Sequence, residues 1–330
     1  MVIDLILFII LSMLGIMLVL FSFYCYRITF HSPTFRQESI EHIPDGEQYE
    51  KWGPKMIEIA KIIQSAQCEE IQIQASDGAK LFGRYYGYHE DAPLMIAFHG
   101  YRSMAFRDCA GAFALCQKLG FNILAVDQRG QGKSDGNCIS FGIRERFDCK
   151  DWIHYARKRF GQDSPIVLCG ISMGAATILM ASDLCLPHNV VGIMADCPYD
   201  SPENIICKVA NDMGYPPKLA GPVIRFSAWL FGGISLREAS AIQSVAYSKV
   251  PILLIHGEDD RFVPCQMSKN IQAAAPKNCN LYTFPEAGHG LSYLTDPHRY
   301  EQISVTFLWD IPQLQPYMEN NSFVRSIIRE

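Results

Sequence analysis

Apolar and polar positions divide the chain into three patterns. Residues 5–26 form a run of uncharged, mostly large apolar side chains. Residues 69–88 alternate between apolar and polar around Ser76-Asp77-Gly78, which predicts an antiparallel hairpin. From residue 94 onward, short continuous apolar runs alternate with helix-length segments, which is typical of strands covered by helices on both faces.

The later runs predict six strands and five helices of one domain. The strands lie at 94–99, 122–127, 165–170, 190–196, 251–257 and 280–285, and the helices near 105–119, 142–160, 173–184, 264–275 and 297–310. With the hairpin, they predict an α/β fold, namely a doubly wound, mostly parallel, eight-stranded sheet at 67–310. A connector at 30–66 ends in a helix from Pro54 to about Ser65, and 311–330 is a C-terminal tail.

A segment of about fifty residues interrupts this alternation. Between about 201 and 249 there is no strand pattern, but there are proline breaks and an apolar helical stretch, VIRFSAWLFGG, at 223–233. We expect a small helical cap insertion over the carboxyl edge of the sheet, where open α/β sheets bind ligands. Its apolar residues suggest an acyl or aryl group as ligand, or else they pack the cap onto the body. These residues are Phe226, Trp229, Leu230 and Phe231.

The N-terminal run predicts a single membrane anchor at 1–29. As a helix, residues 5–26 would span ~33 Å, enough to cross a ~30 Å hydrocarbon core. A cleaved signal peptide is disfavoured because the segment lacks a basic start and a small-residue cleavage site. Arg27 and Arg36 follow the run, so the positive-inside rule places the globular part in the cytoplasm. Cysteines scattered singly through apolar runs suit that reducing compartment.

Composition narrows the possible partners. The net charge is −5 and no basic face is evident, so we expect no nucleic-acid partner. No C-x-x-C pair or Cys/His cluster indicates a metal, and no phosphate-binding fingerprint indicates a nucleotide cofactor. We therefore predict no metal and no cofactor.

Gly170-Ile171-Ser172-Met173-Gly174 is the first candidate for chemistry. It follows the run PIVLCG and precedes a helix-length segment, so Ser172 falls on a strand-to-helix turn. Such a turn exposes a serine hydroxyl at the sheet edge, whereas the same small residues could merely let a strand and a helix cross closely. A serine needs a base and an orienting acid to act as a nucleophile.

Both partners are available after later strands. His289 lies in a small-residue loop past the strand at 280–285, which places its ring over the sheet edge as a candidate general base. Glu258, Asp259 and Asp260 follow the strand at 251–257, and all three are candidates for the acid.

Two further segments resemble the α/β-hydrolase family, and the resemblance covers roughly residues 66–310. HGEDDRFVP (256–264) is similar to the family's H-G-x-x-D-x-x-V-P, which implies Asp260 as the acid. DQRGQGKSDG (127–136) resembles the family's D-x-R-G-x-G-x-S loop, with Gln131 where many members carry histidine. The resemblance also implies an oxyanion hole from the backbone N–H groups of Tyr101 and Met173. The Tyr101 side chain either lines the pocket or is packed.

The sequence therefore predicts a serine hydrolase that cleaves a carboxylic ester through Ser172, His289 and Asp260. The substrate would be a small-molecule or lipid-like ester. A peptidase, a thioesterase or an acyltransferase would use the same acyl-enzyme, and a non-catalytic membrane-tethered binding module is an alternative from another class.

Overall fold

The central feature of the computed structural model, which describes residues 1–32 and 40–329, is one eight-stranded sheet. Its strands are β1 Glu69–Gln74, β2 Lys80–Tyr86, β3 Leu94–Phe98, β4 Asn122–Asp127, β5 Ile166–Ile171, β6 Val190–Asp196, β7 Ile252–Gly257 and β8 Cys279–Phe284. Their order is β1-β2-β4-β3-β5-β6-β7-β8. The first two strands are antiparallel and all later pairs are parallel, which confirms the predicted fold class.

Helices cover both faces of this sheet and precede and follow it. They are α1 Val2–Thr29, α2 Glu47–Glu50, α3 Gly53–Ser65, α4 Ala105–Asp108, α5 Ala110–Leu119, α6 Glu145–Phe160, α7 Met173–Ala181, α8 Pro202–Asp212, α9 Pro217–Gly232, α10 Ala241–Val245, α11 Gln266–Ala274, α12 Ser292–Thr295, α13 Pro297–Trp309, α14 Gln315–Met318 and α15 Ser322–Ile328.

Burial follows the sequence pattern. The continuous apolar strands β3, β5 and β7 are buried along their whole length, because apolar clusters pack on both faces of the sheet. The edge strand β1 alternates, with Ile71 buried and its neighbours exposed. Residues past 310 join the core through Val324 and Ile327 of α15.

Two predicted helices differ in their limits. The helix predicted at 105–119 is divided at Cys109 into α4 and α5. The helix predicted at 142–160 begins at Glu145, because Gly142 has a positive φ of 89° that a right-handed helix does not accommodate. The Glu145 carboxylate accepts hydrogen bonds from the N–H groups of Ser140 and Gly142, at 2.8 and 2.9 Å, and so holds this start.

The N-terminal helix α1 is 28 residues long with a mean hydropathy of 2.9, long and apolar enough to cross a membrane. Its residues 2–21 are exposed, and its last turns pack against the body. Arg36, on which the orientation prediction partly rests, lies outside the described residues.

The insertion at 201–249 is helical, as predicted, and consists of α8, α9 and α10. It lies beside the last turns of α1. The Ser227 hydroxyl donates to the Ser22 carbonyl at 2.8 Å, and the rings of Phe231 and Phe23 are 5.2 Å apart. The insertion thus links the N-terminal helix to the α/β domain.

Candidate active site

Ser172 occupies a tight turn between β5 and α7. Its φ of 54° and ψ of −113° lie in a region that costs about 1–3 kcal/mol for a residue with a side chain. The two flanking glycines are required by close approach. A Cβ at Gly174 would lie 2.1 Å from the Phe98 carbonyl oxygen, and one at Gly170 would lie 2.5 Å from the backbone of Gly174. Both readings of the glycine-serine-glycine stretch therefore hold, since the close crossing is what permits the turn.

The structure brings His289 and Asp260 to this serine. His289 Nε2 lies 2.9 Å from Ser172 Oγ, and His289 Nδ1 lies 2.7 Å from Asp260 Oδ2. An Nδ1–H that donates to the carboxylate leaves Nε2 free to accept the serine proton. The three side chains come from loops after β5, β7 and β8, because the carboxyl ends of parallel strands meet at one edge.

Asp260 is held by its own loop. Its Oδ1 accepts the N–H groups of Phe262 and Val263 at 2.9 and 2.7 Å. Its Oδ2 lies 3.3 Å from Nε2 of buried His256. Burial raises the pKa of the Asp260 carboxyl, but His289 and His256 outweigh it and hold the pKa well below its usual range. The neighbouring Asp259 is exposed, so geometry favours Asp260 among the candidate acids.

The charge around His289 favours its protonated form. Burial lowers the pKa of its imidazole, but Asp260, together with Asp108 and Asp196, outweighs burial and raises the pKa above the ordinary 6.5. Asp196 is itself buried, which raises the pKa of its carboxyl to about 7. The site is thus organised to stabilise an imidazolium ion beside the serine.

The expected oxyanion donors flank Ser172. Met173 is the first residue of α7, where a helix has no internal acceptor for the N–H. Tyr101 follows β3, and its ring borders the cavity while stacking on Phe141 at 5.0 Å. The Tyr101 hydroxyl donates to the Thr29 carbonyl at 2.7 Å. The side chain is therefore packed and also lines the pocket, and it joins the site to the end of α1.

The loop after β4 supports this region, as the family resemblance implies. The N–H of Gln128 donates to Nε2 of His99 at 3.0 Å. His99 and Gly100 directly precede Tyr101. The N–H of Ser103 lies 3.4 Å from the side-chain oxygen of Gln131. Gln131 thus takes a supporting position in the loop through Ser103 and does not contact the candidate nucleophile Ser172.

A cavity of about 370 Å³ opens in front of Ser172 and His289. The connector contributes part of the lining, with residues His42, Pro44, Asp45, Gln48 and Tyr49. No residue of the insertion lines it, so the expected role of Phe226, Trp229, Leu230 and Phe231 in ligand binding is corrected. An apolar helix face can bury against a ligand, a core or another helix, and periodicity does not distinguish among these.

Sequence reasoning missed two polar contacts at the site. The Gln48 side-chain oxygen accepts the backbone N–H of His289 at 3.1 Å across 241 positions. The Asp108 carboxylate accepts the N–H of Gly100 at 2.8 Å, next to the expected oxyanion donor. Neither residue belongs to a motif, and nothing in the sequence places the connector over the catalytic edge.

One group of potential metal ligands exists among the described residues, and it belongs to this site. Cys197, Asp260 and His289 place ligand atoms within 4.8 Å of one another. Burial raises the pKa of the Cys197 thiol well above its ordinary value, which keeps the sulfur protonated and a poor ligand. The other two side chains already bond to each other. This donor set therefore suits a hydrogen-bonded His–Asp pair better than a metal ion.

Comparison with known proteins agrees with the geometry. A serine aminopeptidase family model matches residues 89–232, and a phospholipase/carboxylesterase model matches residues 208–296. WAV2 of Arabidopsis thaliana, an α/β-hydrolase domain-containing protein, is 25% identical over 265 residues, which cover 73% of this chain and 78% of WAV2. The chain belongs to the α/β-hydrolase family. Both matching family models describe hydrolases, which indicates that this chain is a hydrolase as well.

Two of the other similar proteins are esterases. The bifunctional esterase/perhydrolase DCH of Acinetobacter calcoaceticus is 22% identical over 263 residues, covering 66% of this chain and 92% of DCH. An esterase of Pyrococcus furiosus superposes with a TM-score of 0.63 at 22% identity, covering 82% of this chain and 97% of the esterase. At that identity the structural match shows the shared fold.

Proposed function

We propose that this α/β-hydrolase is a membrane-tethered serine hydrolase that cleaves a carboxylic ester. The observation that carries the proposal is the chain of hydrogen bonds from Ser172 through His289 to Asp260 at a strained turn. The same site could serve a peptidase, a thioesterase or an acyltransferase. The esterases among its relatives and fold neighbours favour an ester.

The proposed reaction has two halves. Ser172 Oγ attacks the ester carbonyl while His289 Nε2 takes its proton, and the N–H groups of Tyr101 and Met173 stabilise the oxyanion. The tetrahedral intermediate expels the alcohol, which receives the proton from His289. Water then attacks the acyl-enzyme with His289 as base, and its collapse releases the acid and restores Ser172. Asp260 fixes the imidazole tautomer throughout.

The cavity and the anchor bear on the substrate. A volume of about 370 Å³ lies near the lower end of the ~300–1,000 Å³ range of ligand pockets, so we expect short or medium acyl groups. We further propose that α1 spans the membrane with the hydrolase on the cytoplasmic side. The bond from Tyr101 to Thr29 supports a site near the membrane surface in that arrangement.

The test uses the full-length protein in detergent with p-nitrophenyl esters of increasing acyl length. An aminoacyl anilide and an acyl thioester are the comparators. We expect kcat/KM to be highest for esters with short or medium acyl groups. A higher kcat/KM for the anilide or the thioester would reject the ester assignment, and no turnover of any substrate would favour the binding-module alternative.

Activity should fall in acid with a midpoint above pH 6.5. Only neutral His289 accepts the serine proton, and the nearby carboxylates raise the pKa of its imidazole, so protonation inactivates the enzyme at a higher pH than for an ordinary histidine. A profile of kcat/KM against pH with a neutral ester measures the midpoint. Asp108→Asn should lower it, and a midpoint unchanged by that substitution would contradict the electrostatic account.

Gln48→Ala should reduce kcat by about 2- to 10-fold, the effect of one lost hydrogen bond. The substitution removes the acceptor of the His289 N–H and the side chain that packs over Gly288. The measurement is a comparison of kcat and KM. The matched control Gln48→Glu retains an acceptor oxygen and, compared on the alkaline plateau of the pH profile where His289 is neutral, should keep a higher kcat than the alanine variant. Equal plateau losses in both would contradict the role of this bond.

A further inference from the structure

The outward face of α9 is apolar along its whole length. At 100° per residue, one arc of the helix holds Leu219, Pro222, Phe226, Trp229 and Leu230. Leu219 is 72% exposed and Trp229 is 63% exposed. The opposite arc, with Gly221, Ile224 and Ala228, is buried. A surface helix normally shows charged or polar residues on its outer side, so this face requires a partner.

The loop between α8 and α9 continues the apolar surface. Met213 is 63% exposed and Tyr215 is 53% exposed, and both precede the paired prolines that start α9. Isolated apolar residues on a surface are ordinary, but here they form one contiguous stretch from the loop through the helix. We call residues 213–232, which comprise this loop and α9, the α9 segment.

The contacts between α9 and α1 show the direction of α9 relative to α1. Ser227 bonds to Ser22, whereas Phe231, four residues later, contacts Phe23 and Tyr26 with ring centroids 5.2 and 5.9 Å apart. Later residues of α9 therefore meet later residues of α1, and the two helices run in the same direction. The first turns of α9 and the loop consequently lie toward the exposed, apolar part of α1.

The depth of these contacts along α1 is also defined. Residues 5–21, all exposed and uncharged, span about 26 Å as a helix, most of the thickness of a ~30 Å hydrocarbon core. Ser22, where α9 makes its contact, then lies at the edge of that core. Tryptophan and tyrosine are enriched at this level of membrane proteins. Trp229, two residues after Ser227 on α9, is thus of the residue type expected there.

The charge of α9 is compatible with lipid headgroups. The whole chain carries a net charge of −5, but α9 contains no Asp or Glu, and its charged residues are Lys218 and Arg225. An anionic leaflet repels acidic surfaces and attracts basic ones. This face can therefore approach a bilayer without the repulsion that the rest of the protein would meet.

From these observations we propose that the α9 segment enters the bilayer beside α1, with the outward face of α9 and the loop embedded among phospholipid acyl chains and headgroups. This inference rests on the proposed membrane insertion of α1 and extends it to a second, non-spanning element. The apolar residues that the sequence suggested for substrate binding then serve to hold the domain against the membrane.

Tryptophan quenching by brominated lipid tests the proposal. Full-length protein is reconstituted in phosphatidylcholine vesicles, with or without lipid brominated in the upper acyl chain. The chain has four tryptophans, and Trp152 is fully buried. We expect bromine to reduce the wild-type fluorescence and Trp229→Phe to lack most of that reduction. Trp229 is exposed, so its replacement should leave the fold intact.

Tyr282 offers a matched control. It lies on β8, four strand positions from β3 and hence about 19 Å along the sheet from the strand that leads to the α1 contacts. Adding Tyr282→Trp to Trp229→Phe should not restore the quenching. Equal quenching of wild type and Trp229→Phe would overturn the proposal. The proposal would also be overturned if protein that resists alkaline carbonate extraction, and is therefore inserted in the bilayer, shows no quenching. If carbonate extracts the protein from the vesicles, the proposed membrane insertion of α1 is itself rejected. The hydrolase proposal is tested separately by ester turnover.

Discussion

Ser172→Ala is expected to lower kcat for ester hydrolysis by about 10⁴- to 10⁶-fold, the range seen when a serine nucleophile is removed. Alanine has no atom to attack the carbonyl, and its Cβ can take the place of the serine Cβ at the same strained φ of 54°. The fold should therefore persist. Steady-state kinetics with a chromogenic ester measure the loss, and the thermal midpoint confirms folding.

Ser103→Ala is the control for this substitution. Ser103 also lines the cavity, and its hydroxyl accepts a hydrogen bond from Arg107 at 2.8 Å, but it is not bonded to His289. Its replacement should change kcat by no more than about 10-fold, the effect of a lost hydrogen bond. Ser172→Ala protein that is folded and retains wild-type turnover would contradict the assignment of Ser172 as the nucleophile.

Asp260→Asn should lower kcat by about 10⁴-fold with little change in the fold. The amide can still accept the N–H groups of Phe262 and Val263, but it no longer stabilises the imidazolium ion or enforces the His289 tautomer. Loss of the carboxylate also removes the charge that contributes most to the raised pKa of His289, so the acid limb of any residual activity should move to lower pH.

Asp259→Asn separates the roles of the adjacent aspartates. Asp259 is exposed, whereas Asp260 is buried and bonded to His289. We expect the Asp259 variant to keep near wild-type kcat and the same pH profile. A large loss in Asp259→Asn together with an active Asp260→Asn would reverse the assignment of the acid.

The sheet was predictable because its signal is local. Each parallel strand, covered on both faces, needs a continuous apolar run, and a run such as 251–257 is recognisable without knowledge of its neighbours. The positions of Ser172 and His289 follow from the same logic, since each comes directly after a strand and strand ends converge. Asp260 needed the family resemblance, because three acidic residues in succession satisfy the local pattern.

The remaining features depend on contacts between distant segments. Gln48 reaches the His289 loop only because the connector crosses the catalytic edge, and no periodicity encodes that path. The apolar residues of α9 were recognisable, but not whether they face a ligand, the core or lipid. That distinction rests on the contacts of Ser227 and Phe231 with α1, which only the three-dimensional structure supplies.

Covalent labelling tests the central claim most directly. The full-length protein is treated with a fluorophosphonate, which reacts with a serine only when a neighbouring base activates it. The modified residue is then identified by peptide mass spectrometry. We predict a single adduct on Ser172 that is absent from Ser172→Ala. Folded wild-type protein that remains unlabelled, or that carries the adduct on another serine, would contradict the proposed catalytic site.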